Sequence, residues 1–67
     1  MEEKKLNSLI SMLFKMAIEQ ENPYKYNEVI KTLLRTEGIS NFNLIEHRGG
    51  PVLSYVNSEG GVSLIGE

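Results

Sequence analysis

The spacing of apolar residues changes once along this chain, near Ser40, from a helical to a strand-like period. Before Ser40 apolar residues recur every three or four positions, as in helices, and after it they alternate with polar ones, as in strands. Helices followed by strands predict an α+β fold. A length of 67 residues leaves room for one domain only, so we expect a single domain over residues 1–67.

The first predicted helix covers residues 2 to about 20. Leu6, Leu9, Leu13, Met16 and Ala17 recur at the three-and-four spacing of a helical face. At about 100° per residue, the whole apolar arc runs from Met12 round to Phe14 and Ile18 and spans roughly 240°. A helix that packs on one surface needs an apolar stripe only about 100° wide. We therefore expect this helix to bury two faces.

The second predicted helix covers residues 23 to about 37. Asn22 suits the N-cap position and Pro23 the first helical position. An apolar arc of about 140°, the width of one buried face, is formed by Tyr26, Val29, Ile30, Leu33 and Leu34. Gly38 is placed to end the helix in the left-handed conformation, with Ile39 folding back on Leu34.

Three strands are predicted after the helices, over residues 41–47, 52–56 and 62–65. They are joined by RGGP and by the five-residue turn NSEGG. Gly49 and Gly50 are expected to supply positive φ angles, and Pro51 to stand at the start of a strand. The simplest arrangement is a three-stranded antiparallel meander with both helices packed on one face.

An alternative organisation replaces the first strand with a short third helix capped by Ser40. Three helices and a β-hairpin would resemble the winged-helix order of elements, with one strand fewer. Asn41, Phe42 and Asn43 are weak helix formers, and we therefore favour the strand.

The chain has no disulfide to stabilise its small core, because it contains no cysteine. Its single histidine also makes a zinc site unexpected. Small domains without such links often depend on a partner subunit. We expect a homodimer through the first helix, with Met12, Phe14 and Ile18 as self-association residues. Two alternatives remain: both faces are covered within the monomer, or the chain is an accessory subunit of a larger protein.

Five residues are candidates for contact with a partner. Tyr24, Lys31 and Arg35 lie on the outer stripe of the second helix, where a tyrosine among cations can dock an acidic surface. The alternative there is a solvated helix face with a Glu28–Lys31 pair worth a few tenths of a kcal/mol. His47 and Arg48 are the only potential cations of the C-terminal half and precede the glycine turn.

Nucleic-acid binding is the second hypothesis and is less favoured. The net charge is −2, and residues 37–67 carry Arg48 against Glu37, Glu46, Glu59 and Glu67. A winged-helix reading helix over residues 40–47 would contain no lysine or arginine to neutralise phosphates. Asn41 and Asn43 could read adenine, but asparagine beside a turn more often serves the turn.

The sequence contains no motif for catalysis or for cofactor binding. A serine nucleophile such as Ser54, Ser58 or Ser63 would need activation by His47, and no nucleophile elbow, P-loop or HExxH pattern is present. The two glycine pairs lack the strand–loop–helix setting of a phosphate cradle. We expect neither enzymatic activity, nor a cofactor, nor a metal.

The sequence as a whole predicts a small non-catalytic interaction module, a regulator, adaptor or inhibitor that acts by protein–protein contact. No segment approaches the roughly 20 apolar residues that span a bilayer. Glu2 and Glu3 neutralise the N-terminal lysines, and Lys15 interrupts the apolar run, unlike a secretory signal. A cytoplasmic location is expected.

Overall fold

The computed structural model describes residues 1–66 and contains two helices followed by three strands. Helix α1 spans Glu3–Glu19 and α2 spans Asn27–Thr36; β1 spans Phe42–His47, β2 Gly50–Val56 and β3 Val62–Gly66. The strands form one antiparallel sheet in the order β1-β2-β3. The predicted α+β fold with a three-stranded meander is confirmed. Glu67, one of the acids counted in the C-terminal half, lies outside the described residues.

Helix α1 ends in a Schellman motif, in which two backbone bonds close the last turn. Glu21 N–H donates to the Ile18 carbonyl and Asn22 N–H to the Ala17 carbonyl, each at 3.0 Å. Glu21 occupies the left-handed position with φ of 59°, where glycine is the usual residue. The predicted extent of this helix, residues 2 to about 20, is confirmed within one residue at each end.

The prediction that α2 begins at Pro23, with Asn22 as its N-cap, is wrong. Residues 23–26 form turns in which Lys25 N–H donates to the Asn22 carbonyl at 3.0 Å, and the first helical residue is Asn27. The Asn22 N–H already closes the end of α1, so the chain must change direction before a new helix can start. The predicted C-terminus is confirmed: Gly38 has φ of 80°, and Ile39 N–H donates to the Leu34 carbonyl at 2.9 Å.

The core lies between the helices and one face of the sheet. Its buried members are Leu6, Ile10 and Phe14 of α1, Ile30 and Leu34 of α2, and Leu53, Tyr55 and Ile65 of the sheet. Helix α1 packs over β3. The half-buried Phe42 and Leu44 of β1 complete the inner face.

The alternative with a third helix over residues 40–47 is wrong. Residues 42–47 pair with β2 from Phe42 opposite Tyr55 to His47 opposite Gly50. This extended pairing places Phe42 and Leu44 together on the core side, as the period of two requires. Of the glycine pair, only Gly50 has a positive φ, 118°, so one left-handed residue suffices for this turn.

Candidate functional site

The outer face of the sheet, opposite the helices, is largely apolar. Its side chains are Asn43, Ile45 and His47 of β1, Val52, Ser54 and Val56 of β2, and Val62, Leu64 and Gly66 of β3. We call this set the outer face. It contains no aspartate, glutamate, lysine or arginine.

Apolar exposure on the outer face is greatest on β3. Val52 is half-buried and Ile45 of β1 is 48% exposed. Val62 and Leu64 of β3 are 66% and 74% exposed, although both are large apolar residues in regular strand structure. Single exposed apolar residues are ordinary, whereas a contiguous apolar patch often marks an interaction surface.

The apolar character of the outer face is also visible in the sequence, in a pattern that is not needed to predict the strands themselves. A strand with one solvated face alternates apolar and polar residues, whereas a strand that is apolar on both faces does not. Consecutive apolar residues occur in every strand: Leu44-Ile45, Val52-Leu53, Tyr55-Val56 and Leu64-Ile65. Each pair puts one side chain in the core and one on the outer face.

A groove of about 440 Å³ lies between the start of α1, the α2–β1 connection and the end of β2. Its two carboxylates have partners within the chain. Glu3 accepts hydrogen bonds from the hydroxyls of Ser58 at 3.3 Å and Ser63 at 3.2 Å, and Glu37 lies 2.7 Å from the Met1 α-amino group. The Glu3 contacts connect the start of α1 to the β2–β3 turn and β3, and the Met1–Glu37 ion pair connects the N-terminus to the end of α2, so both carboxylates have structural roles.

The β2–β3 turn is organised by the Asn57 side chain. Asn57 Oδ1 accepts hydrogen bonds from the backbone N–H groups of Glu59 and Gly61, each at 3.0 Å, and its Nδ2 donates to the Ser63 hydroxyl at 3.1 Å. Ser63 donates in turn to Glu3. This chain of bonds connects the turn to the first turn of α1 and fixes where β3 begins.

The predicted partner-binding residues of α2 and its preceding turn are at the surface, but they are not free of local contacts. Tyr24 is exposed in the turn before α2. Lys31 lies 3.1 Å from the Glu28 carboxylate, and the Arg35 guanidinium stands 5.7 Å from the centre of the Phe42 ring. These contacts are those of a solvated helix face with one cation–π pair.

His47 and Arg48 are exposed at the turn between β1 and β2. Gly49 N–H donates to His47 Nδ1 at 3.4 Å. Arg35 contacts Phe42 at the other end of β1, and five residue-to-residue steps along the strand place Phe42 about 17 Å from His47. The predicted partner-binding cations therefore lie at two separate places on the surface: Lys31 and Arg35 on α2, and His47 and Arg48 at the turn between β1 and β2.

The predicted self-association residues of α1 have three different environments. Phe14 is 1% exposed and belongs to the core, so its assignment to a second chain is wrong: packing within one copy already covers it. Ile18 is half-buried, and Met12 is 50% exposed. Only part of the wide apolar arc therefore remains uncovered.

Within residues 1–66, no three His, Asp or Glu side chains come together as potential metal ligands. Neither α1 nor α2 has the length and apolar character needed to cross a bilayer.

The comparisons with known proteins give no relative: no family model, no curated protein and no solved structure matches this chain. The function of the chain is therefore inferred from the geometry of the outer face and of the strand at its edge.

Proposed function

We propose that this chain is a non-catalytic interaction module that acts by protein–protein contact and self-associates as a homodimer through the β3 side of the outer face. The observation that carries the proposal is the exposure of Val62 and Leu64, the two most exposed large apolar side chains of the sheet. Transfer of apolar surface from water favours association by about 25 cal/mol per Å².

A second copy of the same chain fits this surface because the outer face is uncharged. In a two-fold dimer the same patch meets itself, so a patch without charges buries no ion that would need an opposite charge, and it places no like charges together at the axis. An acidic or basic partner would find no opposite charge on the face. A chain of 67 residues also gains most from added apolar burial, because its own core is small.

Regulatory, adaptor or inhibitory action belongs to the same proposal. So does a cytoplasmic location, which is supported by the lack of cysteine, since small secreted domains usually depend on disulfides. We do not propose DNA binding, because the segment that would have formed the reading helix is strand β1.

Sedimentation velocity over a dilution series tests the proposal. We expect a monomer–dimer equilibrium in the wild-type chain and a monomer for Leu64→Lys, because the substitution would place a charge at the apolar contact between the two copies. Met12→Lys is the matched control, because it adds the same charge at an exposed methionine of α1. A wild-type chain that is monomeric at all concentrations would overturn the proposal. If Met12→Lys loses the dimer while Leu64→Lys keeps it, the interface lies on α1 and not on β3.

A further inference from the structure

The backbone groups at the outer edge of β3 can be assigned from the hydrogen-bond alternation of the sheet. In an antiparallel pair, opposite residues alternate between bonded and non-bonded pairs. Asn57 N–H donates to the Gly61 carbonyl at 2.8 Å, so this pair is bonded, and the pairs two and four residues further along, Tyr55–Ser63 and Leu53–Ile65, are bonded as well.

The intervening residues of β3, which are Val62, Leu64 and Gly66, therefore direct their N–H and carbonyl groups away from β2. On the other side of β2, Val56 N–H donates to the Asn41 carbonyl at 3.1 Å, which agrees with this alternation. The most exposed apolar side chains and the unpaired backbone groups thus belong to the same residues of β3.

The two edges of the sheet differ in their protection. Natural edge strands are commonly blunted by charged residues, proline or bulges, which discourage pairing with another chain. Strand β1 carries Glu46, and Arg35 stands over Phe42 at its start. Strand β3, with the sequence VSLIG, has no charge and no proline, and its register with β2 is continuous.

We infer that the second copy binds by strand addition: β3 pairs antiparallel with β3 of the other copy, with the two-fold axis beside Leu64. This inference rests on the proposed self-association and specifies its geometry. With the axis at Leu64, each Leu64 is opposite the other, and Val62 is opposite Gly66. Every unpaired N–H of one β3 then meets an unpaired carbonyl of the other, and the two sheets join into one of six strands.

Side-chain contacts and helices support the same pairing. In this register the two Leu64 side chains form a directly opposite apolar pair, which contributes roughly 0.2–1 kcal/mol, and each Val62 lies diagonally from the Leu64 of the other copy on the same face. Because α1 packs over β3, the two copies of α1 come to lie near each other on the inner face of the joined sheet.

Single-cysteine variants test the register directly, because the chain has no cysteine of its own. In this register the two Cα atoms at position 64 are about 5.5 Å apart, within the range that a disulfide spans. We expect Leu64→Cys to form a disulfide dimer under mild oxidation. Val62→Cys is the matched control on the same face of the same strand, since the two copies of position 62 are about 14 Å apart. Ser54→Cys reports a face-to-face dimer instead.

The outcomes separate this inference from the proposed function. Cross-linking of the Leu64→Cys dimer, without cross-linking of the Val62→Cys or Ser54→Cys dimer, supports the inference. Cross-linking of Ser54→Cys or Val62→Cys, without cross-linking of Leu64→Cys, overturns the register while leaving self-association intact. A chain that sediments as a monomer overturns both.

Amide hydrogen exchange provides a second measurement on the unmodified chain. In the dilute monomer we expect fast exchange at Val62, Leu64 and Gly66, and protection at Ser63 and Ile65, which bond to β2. With rising concentration the three edge amides should slow by on the order of tenfold or more, because each gains a carbonyl partner. Unchanged exchange at Leu64 in a sample that sediments as a dimer would overturn strand pairing.

Discussion

The hydroxyl of Tyr55, on the central strand, donates a hydrogen bond to Oδ1 of Asn7 on α1. The rest of the Tyr55 side chain is packed within the apolar core, and this bond gives its hydroxyl group a partner. It connects α1 to the central strand of the sheet. Asn7 therefore serves the packing of α1 against the sheet.

Replacing Tyr55 with Phe is expected to destabilise the fold by about 1 kcal/mol, because the core packing stays and one hydrogen bond is lost. Urea unfolding followed by circular dichroism measures the change. Asn7→Ala and the double variant complete a mutant cycle. Additive effects of the two substitutions would show that the bond contributes nothing to stability.

Glu21→Gly is expected to stabilise the chain by about 0.5–1 kcal/mol. Glu21 holds the left-handed conformation that ends α1, which disfavours any residue with a Cβ atom. For a domain of this size the melting temperature should rise by about 3–6 °C. Gly38→Ala is the matched control at the end of α2: no atom lies within 4 Å of the added Cβ, so any loss reports backbone strain alone.

Asn57→Ala is expected to destabilise the fold by about 1–2 kcal/mol, because two turn N–H groups lose their acceptor and the Ser63 hydroxyl loses one donor. Thermal unfolding measures the change. Ser58→Ala is the control in the same turn, since its exposed hydroxyl makes a single long bond to Glu3. Equal losses in the two variants would contradict the assigned role of Asn57.

Truncation of a side chain on the buried side of α1 is expected to destabilise the fold much more than truncation of one on its exposed side. Phe14→Ala should cost about 3–5 kcal/mol, a large part of the roughly 3–10 kcal/mol available to a chain of this length. Met12→Ala, at an exposed position, should change stability by less than about 0.5 kcal/mol. Chemical denaturation of both variants tests the assignment, which a comparable loss at Met12 would contradict.

Charge reversal of α2 is expected to leave self-association unchanged. Arg35 lies beside Phe42 on β1, and β1 is about 10 Å from β3 across the sheet. The double variant Lys31→Glu with Arg35→Glu should therefore sediment like the wild type at each concentration. A shift toward monomer would place these cations at the interface.

Much of the fold could be predicted because it follows from relations between neighbouring residues. The change of period near Ser40 separates helices from strands, and Gly38 marks the end of α2 through its left-handed backbone. The glycines between β1 and β2 and the NSEGG turn predict the meander. The start of α2 was not predictable in this way, because Asn22 suits both the end of one helix and the cap of the next.

The candidate interface depends on relations that the local pattern does not contain. The apolar arc of α1 is too wide to show which part is buried, and the positions of β3 and α2 decide that Phe14 lies in the core and Met12 at the surface. Likewise, apolar residues at Leu64 and Ile65 indicate two apolar faces, but hydrogen-bond alternation across the folded sheet determines that the backbone of Leu64 faces a free edge. The sequence by itself determined the elements and their order, since these arise from local periodicity. The tertiary structure decided which apolar surfaces stay uncovered, since coverage depends on residues far apart in the chain.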